Sequence, residues 1–109
     1  MKTVYICSPL RGDVEQNIIN ARAHCKYAVN CGVLPIAPHI FFTQFLDDNN
    51  PYERDIGIEL ALKQLRTADE LWVFGDVSQG MAREIDYAKA LGKPVKQMMI
   101  KLDLCSQQS

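Results

Sequence analysis

The chain alternates short apolar runs with stretches of helical periodicity. Thr3–Cys7 is apolar, β-rich and unbroken, which predicts a buried strand. The polar turn Ser8–Asp13 follows. Val14, Ile18, Ala21, Cys25 and Ala28 then recur at helical spacing up to Gly32, a natural helix stop. Val33–Ile36 reads as a short second strand. Pro35 has no N–H for the ladder, so this strand lies at an edge or ends early. Ala37–Pro51 mixes periodicities and carries Pro38-His39 and Phe41-Phe42-Thr43-Gln44-Phe45. It is too long and too aromatic for a plain connector and reads as a binding loop containing a helical turn. Ile58, Ala61, Leu62 and Leu65 mark another helix ending near Ala68. Leu71–Phe74 is a third strand and Gln79–Leu91 the helix after it. Pro94–Ile100 is a fourth strand, interrupted by Lys96 and Gln97.

Strands alternating with helices imply a mainly parallel sheet covered on both faces. The expected fold is α/β: one open sheet of four to five strands with helices on both sides, of Rossmann or flavodoxin-like type. Residues 1–104 are expected to form the single domain and Cys105–Ser109 a loose tail. The 109 residues suffice for one core and are too few for two. A content of 48% hydrophobic and 23% charged residues is that of a soluble globular protein. The net charge of −1 argues against a nucleic-acid polymer or a membrane surface as partner. No apolar run approaches the roughly 18 residues of a membrane span. The opening MKTVYICSPLRGD meets Arg11 and Asp13 too early for a signal peptide, which leaves the cytoplasm as the expected location. Cys7, Cys25, Cys31 and Cys105 form no CxxC pair. Cys7 and Cys25 read as small core residues. His24 and His39 are too scattered for a zinc site, so neither a metal nor an organic cofactor is expected.

In a parallel α/β sheet the loops after the strands gather at one edge, where ligands bind. Here these are Ser8–Asp13, Ala37–Pro51 and Gly75–Gly80. The third opens the helix that carries Glu84. At about 100° per residue, Met81, Ile85 and Ala88 form a narrow apolar stripe, and Glu84 borders it about 60° from Met81. Arg83 and Asp86 point the other way. Burial raises the pKa of such an acid and the helix dipole lowers it. That balance suits a carboxylate nucleophile. From the helix alone, a first-turn glutamate that only complements the dipole is the more ordinary reading.

The segments Tyr5-Ile6-Cys7-Ser8-Pro9-Leu10-Arg11-Gly12 and Ser78-x-Gly80-x-x-x-Glu84, the latter followed by Ala88 and Gly92-Lys93-Pro94-Val95, carry a resemblance. The first resembles the opening Tyr-x-Cys-x-x-x-Arg-Gly of the 2'-deoxynucleoside 5'-phosphate N-hydrolases, and the second their nucleophile helix. The chain is thus similar, over most of residues 3 to 97, to the nucleoside 2-deoxyribosyltransferase superfamily. It also resembles small bacterial and phage proteins of unassigned activity in that superfamily.

The resemblance implies cleavage or exchange of an N-glycosidic bond in a small nucleoside or nucleotide. Glu84 would be the nucleophile and Tyr5 would orient it, so both are candidate catalytic residues. Ser8, Arg11, Gly12, His39, Phe41, Ser78, Gln79 and Gly80 are the candidate substrate contacts. Arg11 would take a 5'-phosphate, since its planar fork matches phosphate oxygens. Ser78 and the amides of Gln79 and Gly80, at a helix N-terminus, suit a sugar hydroxyl or a phosphate. Phe41 or Phe42 would stack on the base, and His39 or Gln44 would meet its edge. Each has a structural alternative: Arg11 pairing with Asp13 or Glu15, Ser78 acting only as a helix cap, and Phe41, Phe42 and Phe45 filling core.

One position departs from the family pattern. An aspartate is usual two helical turns before the residue matched by Asp69, and Ala61 stands there. Asp55 and Glu59 are acids within reach on the same helix, Glu59 pointing elsewhere. The resemblance further implies a homodimer or larger homo-oligomer, for which Met98–Leu104 is a candidate interface. A binding module without catalysis is the alternative function.

Overall fold

The computed structural model of the protein describes residues 1–98. Its elements are β1 (Thr3–Cys7), α1 (Val14–Asn30), β2 (Leu34–Ile36), α2 (Pro38–Phe41), a 3-10 turn (Phe42–Gln44), α3 (Pro51–Thr67), β3 (Glu70–Phe74), α4 (Gln79–Ala90) and β4 (Val95–Met98). The strands form one parallel sheet in the order β2-β1-β3-β4, with Tyr5 opposite Ile36 on one side and Leu71 on the other. The expected α/β architecture is the observed one, with four strands among the described residues. Pro35 sits in the edge strand β2, where its missing N–H costs no ladder bond.

Alternation along the strands divides the core into two layers. Tyr5, Cys7, Leu71 and Val73 face Leu65 and Ala68 at the end of α3 and Met81 and Ala88 of α4. Val4, Ile6, Trp72 and Phe74 face Ala28, Cys25 and Tyr27 of α1. Helices therefore cover both faces. The caps fix where each long helix starts. Asp13 Oδ1 accepts from Gln16 N, Asn50 Oδ1 from Tyr52 N and Glu53 N, and Ser78 Oγ from Met81 N.

One boundary differs from the sequence reading. The helix marked by Ile58 begins at Pro51, a full two turns earlier, because Asn50 caps it and Pro51 occupies its first turn. The Ala37–Pro51 loop ends where expected, but about half of it is ordered as α2 and the 3-10 turn. The end of the Pro94–Ile100 strand, most of the Met98–Leu104 interface, Cys105 and the tail lie outside the described residues.

β1 stands at the point where the strand order reverses. The chain leaves it toward β2 on one side and returns to β3 on the other. Open sheets of this kind have a crevice at that point, beyond the carboxyl ends of the strands.

Candidate active site

A cavity of about 780 Å³ opens at this crevice, on the face covered by α3 and α4. Tyr5, Ser8 and Arg11 reach it from β1 and its turn, and Ser78, Gln79, Gly80 and Glu84 from the start of α4. His39, Phe42 and Thr43 reach it from α2 and the 3-10 turn. Asp55, Ile58 and Ala61 line it from α3. Cys7 ties β1 to α4 through its thiol, which donates to the Met81 carbonyl at 3.8 Å. Burial drives that thiol's pKa upward, with Glu84 adding to it, so the group stays protonated.

Glu84 is placed as the helical geometry anticipated, beside the apolar stripe of Met81 and Ala88. Burial pushes its carboxyl up to about 7, while a hydrogen bond from the Tyr5 hydroxyl pulls the other way. Tyr5 itself is fully buried in the central strand. Its pKa is raised well above 10.0 by burial and then by the charge of Glu84, so it remains a donor.

On the opposite wall Ser8 Oγ and His39 Nε2 lie 3.0 Å apart. Burial, and then the nearby His24, lower the His39 pKa to about 4, so its ring is neutral at physiological pH. A neutral imidazole can both donate and accept, so the Ser8–His39 pair can present either polarity to a ligand.

Eight of the ten candidate residues line this one cavity: Tyr5, Ser8, Arg11, His39, Ser78, Gln79, Gly80 and Glu84. Gly12 and Phe41 do not. Gly12 shapes the turn with a φ of +95° and an exposed backbone. Phe41 falls on the outer side of α2, 54% exposed, with its ring 5.2 Å from Phe42 and 5.3 Å from Phe45. The helical spacing explains this. Positions 39, 42, 43 and 46 face inward, so 41 and 45 face out. Gln44 is exposed and also lies outside the lining. Arg11 pairs with neither Asp13 nor Glu15; its Nε lies 3.7 Å from Asp48 Oδ2. Asp48, Arg54 and Asp55 line the cavity, and Ala61 puts only a methyl group there. Among the described residues, no cluster of His, Cys, Asp or Glu is arranged to hold a metal ion. Likewise, no helix is long and apolar enough to cross a membrane.

The profile of a family described as a domain of unknown function, DUF7768, matches residues 2–98. The chain belongs to the DUF7768 family. No curated protein matches this DUF7768 chain. Among solved structures it is similar to the 2-deoxyribosyltransferase of the psychrotolerant bacterium Bacillus psychrosaccharolyticus. The TM-score is 0.67 at 18% identity, covering 94% of this chain and 79% of that one. It is also similar to the 2-deoxyribosyltransferase of Leishmania mexicana, with a TM-score of 0.61 at 21% identity. That match covers 90% of this chain and 64%, just under two thirds, of the other. At these identities the likeness is one of fold. The DUF7768 domain is built on the flavodoxin-like frame of nucleoside deoxyribosyltransferases.

Proposed function

We propose that this protein cleaves or exchanges the N-glycosidic bond of a small nucleoside or nucleotide, with Glu84 as nucleophile. The observation that carries this reading is a half-buried glutamate on a cavity of about 780 Å³, its pKa pushed up to about 7 by burial against the opposing pull of the Tyr5 hydroxyl. A carboxylate so poorly solvated is more nucleophilic than one in water and is still substantially ionised at neutral pH. Its oxygen attacks the anomeric carbon. The carbon–nitrogen bond breaks, and the base leaves with the electron pair and takes up a proton. Water then attacks the same carbon, frees Glu84 and releases the sugar; a second base in place of water completes an exchange. This is the two-step retaining logic of carboxylate glycosidases. Ser78 and the first amides of α4 receive a sugar hydroxyl or phosphate, Arg11 the phosphate, Phe42 the face of the base and His39 its edge. Phe42 takes the stacking role because Phe41 faces away from the cavity.

Ala61 favours a second reading, a nucleotide-binding module without turnover. The helix α3 offers an alkyl wall where the deoxyribosyltransferase pattern has an acid. One assay separates the two. Nucleosides and their 5'-monophosphates, ribo and deoxy, are incubated with wild type and with Glu84→Ala, with and without an acceptor base, and free base is followed by chromatography. Release by wild type alone is expected, rising with pH through about 7 as Glu84 ionises. Turnover retained by Glu84→Ala would remove Glu84 from the mechanism. Saturable binding without release, unchanged in Glu84→Gln, would establish the module.

A further inference from the structure

We propose that Asp48 sets the cavity's discrimination between phosphorylated and unphosphorylated ligands by competing for Arg11; this rests on the reading of Arg11 as the phosphate contact. Arg11 comes from the turn after β1 and Asp48 from the segment before α3, and both line the cavity. Their 3.7 Å separation, Nε to Oδ2, is an ion pair too long for a hydrogen bond. Among the described residues the Arg11 side chain makes no hydrogen bond and no other ion pair. Asp13, the acid nearest in sequence, is occupied as the cap of α1. Arg11 thus faces Asp48 by charge alone while its N–H donors remain uncommitted.

That arrangement treats ligands unequally. A phosphate meets a guanidinium whose charge is already offset and a carboxylate that repels it. A hydroxyl meets no such opposition. Asp48 is the more sheltered partner, its side chain 26% exposed against 69% for Arg11, so it is the fixed charge and Arg11 the shared one. Glu53 and Asp55 on the cavity wall add repulsion of the same sign, while Arg54, and Arg83, which was expected to point away, line it too and oppose that repulsion. Asp48 therefore weakens binding of a phosphorylated ligand and leaves its unphosphorylated counterpart untouched.

The test is calorimetric titration with thymidine, thymidine 5'-monophosphate and inorganic phosphate. It uses the full chain carrying Glu84→Gln to suppress turnover, alone and combined with Asp48→Asn, Asp48→Glu or Arg11→Ala. Asp48→Asn is expected to tighten both phosphate-bearing ligands about fivefold at low salt, the scale of an exposed ion pair. Thymidine binding stays constant, Asp48→Glu restores the weaker value, and the gain shrinks as salt screens the charges. Unchanged phosphate affinity in Asp48→Asn, with a loss in Arg11→Ala, would overturn the role of Asp48 alone. No effect of either substitution would overturn Arg11 as the phosphate contact and Asp48 with it. Tighter inorganic phosphate in Asp48→Asn without any thymidine binding would uphold the competition and refute the nucleoside reading.

Discussion

Two glutamates packed against opposite ends of the sheet are driven in opposite directions by their surroundings. Glu70 opens β3, its side chain 6% exposed, and accepts from Lys2 Nζ at 2.7 Å, Trp72 Nε1 at 2.9 Å and Lys96 Nζ at 3.2 Å. The hydrogen bonds from Lys2 and then Trp72 hold its carboxyl down at about 2 against the opposing effect of burial. Glu84, at the other end, has one neutral donor, Tyr5, and is pushed up to about 7. Burial dominates at Glu84, whereas at Glu70 the hydrogen bonds from Lys2 and Trp72 outweigh it. A carboxylate given cations is held ionised, and one sheltered with a single phenol is drawn toward its protonated form. Of the two, only the glutamate at the carboxyl ends of the strands is left without a cationic donor.

The pH dependence of stability breaks or sharpens this contrast most forcefully. Glu84 has a folded pKa above its unfolded value. The folded state therefore binds the extra proton, and stability is lost as pH rises from about 4.5 through about 7. Glu84→Gln lacks this loss. Its stability relative to wild type is expected to grow by up to about 3 kcal/mol between pH 5 and pH 8 in chemical denaturation. Glu70 has the reverse sign, its contribution present above about 4.5 and lost as pH falls toward about 2. The acid limb should thus survive in Glu84→Gln and flatten in a Glu70 variant. A stability difference between Glu84→Gln and wild type that is constant from pH 5 to pH 8 would end the comparison.

Next in size, Glu70→Gln is expected to cost about 1–2 kcal/mol of stability, since it breaks a hydrogen-bonded cluster whose lysines retain solvent. Base release measured below the melting transition should be unaffected. An unchanged melting temperature would show that the cluster is no strut. The smallest effect is that of Tyr5→Phe. Losing the hydrogen bond to the charged form moves the Glu84 pKa further up and slows base release about tenfold at neutral pH. The readout is the midpoint of the pH–rate profile. A midpoint that stays in place would remove Tyr5 as the group that orients Glu84.

The strands were legible because they are continuous apolar runs, and Glu84 because its angle to Met81 follows from helix geometry alone. Other features depend on contacts that no local pattern carries. Phe41 and Phe42 are indistinguishable in sequence until a one-turn helix rotates one inward and the other out. The start of α3 has a signal, Asn50 followed by Pro51, two turns ahead of the apolar stripe that begins at Ile58. Local spacing offers Arg11 only Asp13 and Glu15, whereas Asp13 is spent on a cap and Asp48 arrives from another loop. Glu70 has no local signal, because one acid at the head of an apolar run looks like a turn residue until Lys2 and Lys96 are brought alongside.

The position of β1 bears on how the chain reaches this state. β1 is flanked by a three-residue strand containing Pro35 and by β3, and the Thr3–Asp69 contact beside β3 spans 66 residues. Closing so long a loop carries an entropic cost that local contacts do not repay, and parallel pairing of this kind is slow. Until residues 70–74 arrive, an apolar segment ending in a free thiol has only a weak partner. The central strand is therefore without its second neighbour until residues 70–74 are made, and the Tyr5–Glu84 pair can form only once α4 follows them.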